Sequence, residues 1–164
     1  MAVVGVGQEL NGDDAAGVRV ARALLKRQRA GSSDAPRPAP FSLLVVEAAH
    51  APENCTGAVR RFAPDLVLVV DAAEMGDPPG TIRWLDWREA AGFDASTHTL
   101  SVSMLARYLI AELSCEVGVI GIQVQNTSLG APVSPPVRRA IGSVCRGLTT
   151  LLLGVHAPST PGEA

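Results

Sequence analysis

Five consecutive aliphatic residues, Leu66-Val67-Leu68-Val69-Val70, run straight into an aspartate, Asp71. A strand with one wet face alternates apolar and polar side chains, whereas an unbroken aliphatic run needs apolar cover on both faces. The run therefore predicts a central strand over 66–70 with helices above and below it. The flanking segments fit that frame. Val3–Val6 reads as a first strand, Phe41–Val46 as a second, Thr81–Leu85 as a fourth and Val117–Gln123 as a fifth. A helix from Asp13 to about Arg29 is predicted because Gly17, Val20, Ala21 and Leu24 recur at i, i+3, i+4 and i+7, with Val18 and Leu25 widening the apolar face. Pro52–Phe62 reads as a helix with its proline in the first turn, where a missing N–H costs nothing. Ser101–Leu113 places Val102, Leu105, Ala106, Leu109 and Leu113 on one helical face. Ser134–Leu153 reads as the last helix, with Ser134 as N-cap and Pro135 in the first turn. Ala30–Pro40 is expected to be a loop, Gly76–Gly80 a turn, and the tail from Gly154 frayed. Strands alternating with helices predict an α/β fold with a mostly parallel sheet, a single domain over 1–153 and a flexible tail over 154–164.

Composition narrows the partners. With 164 residues, 47% apolar and 18% charged, the chain suits one globular core. A net charge of −2 and the absence of a basic stripe exclude nucleic acid as the expected partner. The densest basic run, Lys26, Arg27 and Arg29, reads as a solvated helix face. No apolar run reaches the ~18–20 residues of a membrane span. The opening MAVVGVG has no basic n-region, so no signal peptide is expected. Cys55, Cys115 and Cys145 are odd in number and form no CxxC pair, which suits reduced structural thiols. These features predict a cytoplasmic chain with no membrane partner.

In open parallel sheets, ligands bind beyond the carboxyl ends of the strands. Gly5-Val6-Gly7 followed by Gln8-Glu9-Leu10-Asn11-Gly12-Asp13-Asp14 invites a dinucleotide reading, but Leu10 stands where G-x-G-x-x-G needs its third glycine. Two carboxylates then open the helix where a pyrophosphate would have to sit. One of them serves as a cap for the N–H groups of that helix, leaving the other for the crevice. Asp71, at the end of a buried run, is costly unless paired, hydrogen-bonded or bound to a metal; a loop-capping role is the alternative. His98 precedes the 101–113 helix, whose positive end favours the neutral, metal-binding imidazole. Asp14, Asp71 and His98 all belong at one rim. Together they make a three-ligand O/N site of the kind that accommodates nickel or zinc with positions left for water or substrate. His50 follows the second strand near the same rim and is a candidate substrate contact, as is Gln8; His156 lies in the tail.

These same residues carry a family resemblance. Gly5-Val6-Gly7 with Gly12-Asp13-Asp14-Ala15-Ala16-Gly17 resembles the opening G-x-G-N…G-D-[DE]-x-x-G motif of the hydrogenase maturation endopeptidases. Ala51-Pro52-Glu53-Asn54, Val70-Asp71-Ala72-Ala73-Glu74-Met75-Gly76 with Pro79-Gly80, Thr97-His98, Gly121-Ile122-Gln123 and Val133-Ser134-Pro135-Pro136-Val137 follow in that family's order, from Val3 to about Leu153. The resemblance implies a twisted five-stranded sheet flanked by helices on both faces, of phosphorylase/hydrolase-like type. It implies a monomeric endopeptidase that removes the C-terminal extension of a nickel–iron hydrogenase large-subunit precursor. The nickel is supplied largely by the precursor, and Asp14, Asp71 and His98 stand at the metal-contacting, catalytic positions. Whether a metal-bound water, Asp14 or Asp71 activates the attack stays open. Gln8 stands where the family has asparagine, and Val124 where proline is frequent. Glu47-Ala48-Ala49-His50 replaces an Asp-Gly-Gly-small segment whose glycines allow positive φ. An altered substrate groove follows from these departures, and a non-catalytic chaperone binding nickel or the precursor is the alternative they favour.

Overall fold

A computed structural model describes residues 1–31, 42–88 and 101–153. Five strands form one sheet: β1 (Ala2–Val6), β2 (Leu44–Ala49), β3 (Leu66–Ala73), β4 (Ile82–Leu85) and β5 (Glu116–Gln123), in the order β2-β1-β3-β5-β4. The aliphatic run is central, as its composition demands. β1, β2, β3 and β5 are parallel, and only the edge strand β4 is antiparallel. The helices are α1 (Ala16–Gly31), α2 (Thr56–Phe62), α3 (Val102–Leu113) and α4 (Pro135–Leu153).

Strand alternation divides the core in two. Val3, Leu68, Val70 and Ile122 point to α1 and α4, meeting Val20, Leu24, Val137, Val144 and Leu148. Val4, Val67, Val69 and Val119 point the other way, to Val59 of α2 and Leu105 and Leu109 of α3. Each fully buried aliphatic contributes about 1.5–3 kcal/mol of transfer free energy, so both faces of β3 hold the domain together. α3 starts with a side-chain cap, Ser101 Oγ accepting the Met104 N–H at 3.3 Å.

Four boundaries differ most from the sequence expectation. The first helix is preceded by a 3-10 turn, Gly12–Ala15, and becomes α-helical only at Ala16; Pro52–Cys55 is likewise a 3-10 turn ahead of α2. β2 covers 44–49 rather than 41–46, because pairing with β1 carries it through Glu47 to Ala49 while the apolar count fades. β3 continues to Ala73, so Asp71 lies within the strand rather than at its end. The expected turn at 76–80 is present, with Gly76 and Gly80 at φ +73° and +84° and the Gly80 N–H donating to the Gln123 carbonyl at 2.9 Å. The expected loop over 30–40, apart from its first two residues, and the tail from 154, with His156, lie outside the described residues.

Candidate active site

The crevice forms between β1 and β3. Their ladder ends at Gly5 against Val70, while β3 continues beside β5 to Ala73 against Gln123. The chain leaves β1 for α1 on one face, and the next described helix after β3 and β4 is α3, on the other. Neighbouring strands whose connections diverge in this way leave an opening at their carboxyl ends. Gly17 determines what lines it. A Cβ there would collide with the carbonyl oxygens of Val70 and Val6, so only glycine lets the start of α1 rest on the ends of both strands. The 3-10 turn carrying Asp13 and Asp14 is thereby laid against β3.

The two aspartates do different work. Neither caps its own turn, which has no side-chain cap at Asn11. Asp13 is fully buried and reaches across the molecule. Its Oδ2 accepts the N–H groups of Gln125 (2.8 Å) and Asn126 (3.0 Å), and its Oδ1 accepts that of Ser134 (2.6 Å). Burial alone would raise its pKa, but the N–H groups of Ser134, Gln125 and Asn126 outweigh it and hold the carboxyl below its ordinary value. Ser134 sits at the N-cap position of α4, yet its hydroxyl is buried without a hydrogen-bond partner among the described residues; the two prolines that follow offer no N–H, and the contact that matters there is Asp13 to the Ser134 backbone.

Asp14, 9% exposed, lies beside the end of β1, with Oδ2 accepting the Gln8 N–H at 3.0 Å. Burial raises its pKa, opposed by that single hydrogen bond. Gly7, at φ +133°, makes the approach possible, because a Cβ there would collide with the Asp14 carbonyl. Asp71 shares a strand face with Val67 and Val69, the α2/α3 side, and its Oδ1 accepts the Ala72 N–H at 2.8 Å. Asp14 thus lies just past the end of β1 and Asp71 on the carboxyl half of β3, and each carries oxygen donors of a kind suited to a divalent cation. His98, the expected third member, lies outside the described residues. Among the described residues, no three histidine, cysteine, aspartate or glutamate side chains cluster as a metal site.

The rest of the rim shows residues whose roles sequence reasoning missed. Gln123 is buried and holds the loop after β3: its Oε1 accepts the N–H groups of Met75 (2.6 Å) and Asp77 (3.3 Å), and its Nε2 donates to Glu74 Oε1 at 2.7 Å. A lone glutamine ending an apolar strand was the available signal. Arg22 of α1 grips two carboxylates, Glu9 after β1 and Glu47 on β2. Side-chain hydrogen bonds from Arg22 lower the pKa of Glu9. Ala49 lies at φ +51°, and its carbonyl accepts the Gly7 N–H at 3.0 Å. The backbone at Ala49 keeps a glycine-like conformation although the residue is alanine, so at this one of the two alanines positive φ is not refused. His50 is exposed just after β2, and Gln8 borders Asp14 through its backbone.

The thiols take no part. All three cysteines are buried; burial pushes Cys55 up to about 11 and raises Cys115 and Cys145 as well. A protonated, enclosed thiol is a poor nucleophile.

Comparison with known proteins agrees with this architecture. The family described as HycI, hydrogenase maturation protease, matches residues 18–150. The hydrogenase 3 maturation protease of Escherichia coli is 31% identical over 147 residues, covering 87% of this chain and 85% of that protein. The crystal structure of the [NiFe] hydrogenase maturation protease HycI from Thermococcus kodakarensis superposes with a TM-score of 0.76 at 27% identity, covering 92% of this chain and 90% of that one. The solution structure of the endopeptidase HycI from Escherichia coli gives 0.75 at 28% identity, covering 99% and 98%. The chain belongs to the hydrogenase maturation protease family and is an endopeptidase.

Proposed function

We propose that this endopeptidase removes the C-terminal extension of a nickel-loaded nickel–iron hydrogenase large-subunit precursor, acting as a monomer in the cytoplasm. Among the described residues no helix is long and apolar enough to cross a membrane. The observation that carries the reading is the pair Asp14, just past the end of β1, and Asp71, on the carboxyl half of β3, in a chain of this family. The nickel arrives as part of the substrate, held by the precursor. Asp14, Asp71 and His98 contact it and so register the peptide bond against the rim, with Gln8 and His50 bordering the incoming chain. With the thiols buried, the attacking group is water. It adds to the scissile carbonyl carbon, the C–N bond breaks, and the proton that water gives up ends on the released amine. The chaperone alternative rested on Gln8 and Ala48-Ala49, and the positive φ of Ala49 removes part of that ground.

The test mixes the protein with its large-subunit precursor, nickel-loaded or nickel-free, and follows precursor mass. Loss of a short C-terminal peptide from the loaded form alone is the expected result. Nickel-dependent co-purification without cleavage would replace the protease reading with the chaperone one. Equal cleavage of both forms would remove nickel from recognition.

A further inference from the structure

Two leucines stand out at the rim. Leu10, in the loop after β1, is 65% exposed, and Leu129, in the loop after β5, is 79% exposed. They stand on one joined piece of backbone, because the Gly130 N–H donates to the Leu10 carbonyl at 2.7 Å. The same two loops are tied again by the Asp13 N–H to the Asn126 carbonyl (2.9 Å) and by the Asp13 carboxylate to the N–H groups of Gln125, Asn126 and Ser134. Gly12 packs so tightly on the Asn126 carbonyl that a Cβ would collide with it. Exposed leucines on a floppy loop mean little, but a pair carried on a cross-braced frame keeps its apolar surface in one place. Glu9, the charged neighbour of Leu10, is held by Arg22.

The loop that carries Leu10 is also the one that binds Asp14. Leu10 lies two residues from Gln8, whose N–H binds Asp14, and four from Asp14 itself. A polypeptide whose bond reaches Asp14 must lie against this rim, and apolar surface held at such a place marks a binding contact. We propose that Leu10 and Leu129 form a docking point for an apolar side chain of the precursor, close to the bond that is cut. This rests on the reading of the precursor as substrate.

The test compares wild type with Leu10→Ser, Leu129→Ser and the double variant on the nickel-loaded precursor, after thermal unfolding has shown the variants folded. Leu151→Ser, on an equally exposed leucine of α4 away from the rim, is the control. The double variant should raise KM at least tenfold with kcat within twofold, and the control should change neither. An unchanged KM in the double variant, or an equal rise in the control, would overturn the docking point. If the wild type cleaves nothing, the protease reading fails separately and docking is read by titrating precursor directly: tenfold weaker binding by the double variant supports it, and equal binding, including none, overturns it.

Discussion

Asp13 and Asp14 are adjacent, both are buried or nearly so, and they belong to different regions of the molecule. Asp13 faces the junction of the β5–α4 loop, where three backbone N–H groups satisfy it and lower its pKa. Asp14 lies past the end of β1, where one N–H among the described residues meets it and burial raises its pKa. A carboxylate that is fully answered by the fold stabilises it and has nothing left to offer a ligand. One that is under-answered is a liability in the isolated protein and a donor to whatever the substrate brings. The contrast teaches that paired acids at a strand–helix junction should be sorted by their hydrogen-bond partners rather than by burial.

The largest expected effects fall on the opening. Asp71→Asn and His98→Ala should each abolish precursor processing while leaving thermal unfolding close to wild type; wild-type processing rates in both would break the assignment of the rim. On the other side of the comparison, Asp13→Ala leaves three backbone donors without their acceptor and should lower the folding free energy by about 3 kcal/mol or more, measured by urea unfolding. A loss below about 1 kcal/mol would mean that water replaces the carboxylate and that the junction is not sealed.

Acidity separates the two aspartates by sign. The folded pKa of Asp13 lies below its unfolded value, so its stabilisation is present above the unfolded pKa and lost as pH falls through the folded one. The folded pKa of Asp14 lies above its unfolded value, so its contribution is present below the unfolded pKa and lost as pH rises through the folded one. Below about pH 4, the stability advantage of wild type over Asp13→Asn should shrink as pH falls, whereas the balance between wild type and Asp14→Asn should shift against wild type as pH rises above about 4. Parallel slopes would erase the distinction. The smallest effect concerns β2: Ala49→Gly relieves a positive φ and should stabilise by about 0.5 kcal/mol in chemical denaturation.

Much of this was legible beforehand. The aliphatic run 66–70 placed the central strand, and the helical spacing of Val20, Ala21 and Leu24 placed α1. What escaped depended on contacts between distant segments. Which of two neighbouring aspartates caps, and what it caps, is decided by a loop more than a hundred residues later in the chain. Gln123, a lone glutamine ending an apolar strand, marks itself as unusual but does not name the 74–77 loop as what it braces. The continuation of β2 past Val46 is set by its partner strand, and the exposure of Leu10 and Leu129 by the frame beneath them. Periodicity reports which face a residue takes; it is silent about which partner waits there.

The most direct test of the account is one variant read two ways. Asp14→Asn keeps the side-chain volume and an oxygen for the Gln8 N–H while removing the charge. Incubated with nickel-loaded precursor and followed by mass, it should release no C-terminal peptide, while its thermal midpoint at neutral pH equals or exceeds that of wild type. Processing at the wild-type rate, or a marked fall in the midpoint, would contradict the claim that Asp14 is held in reserve for the substrate.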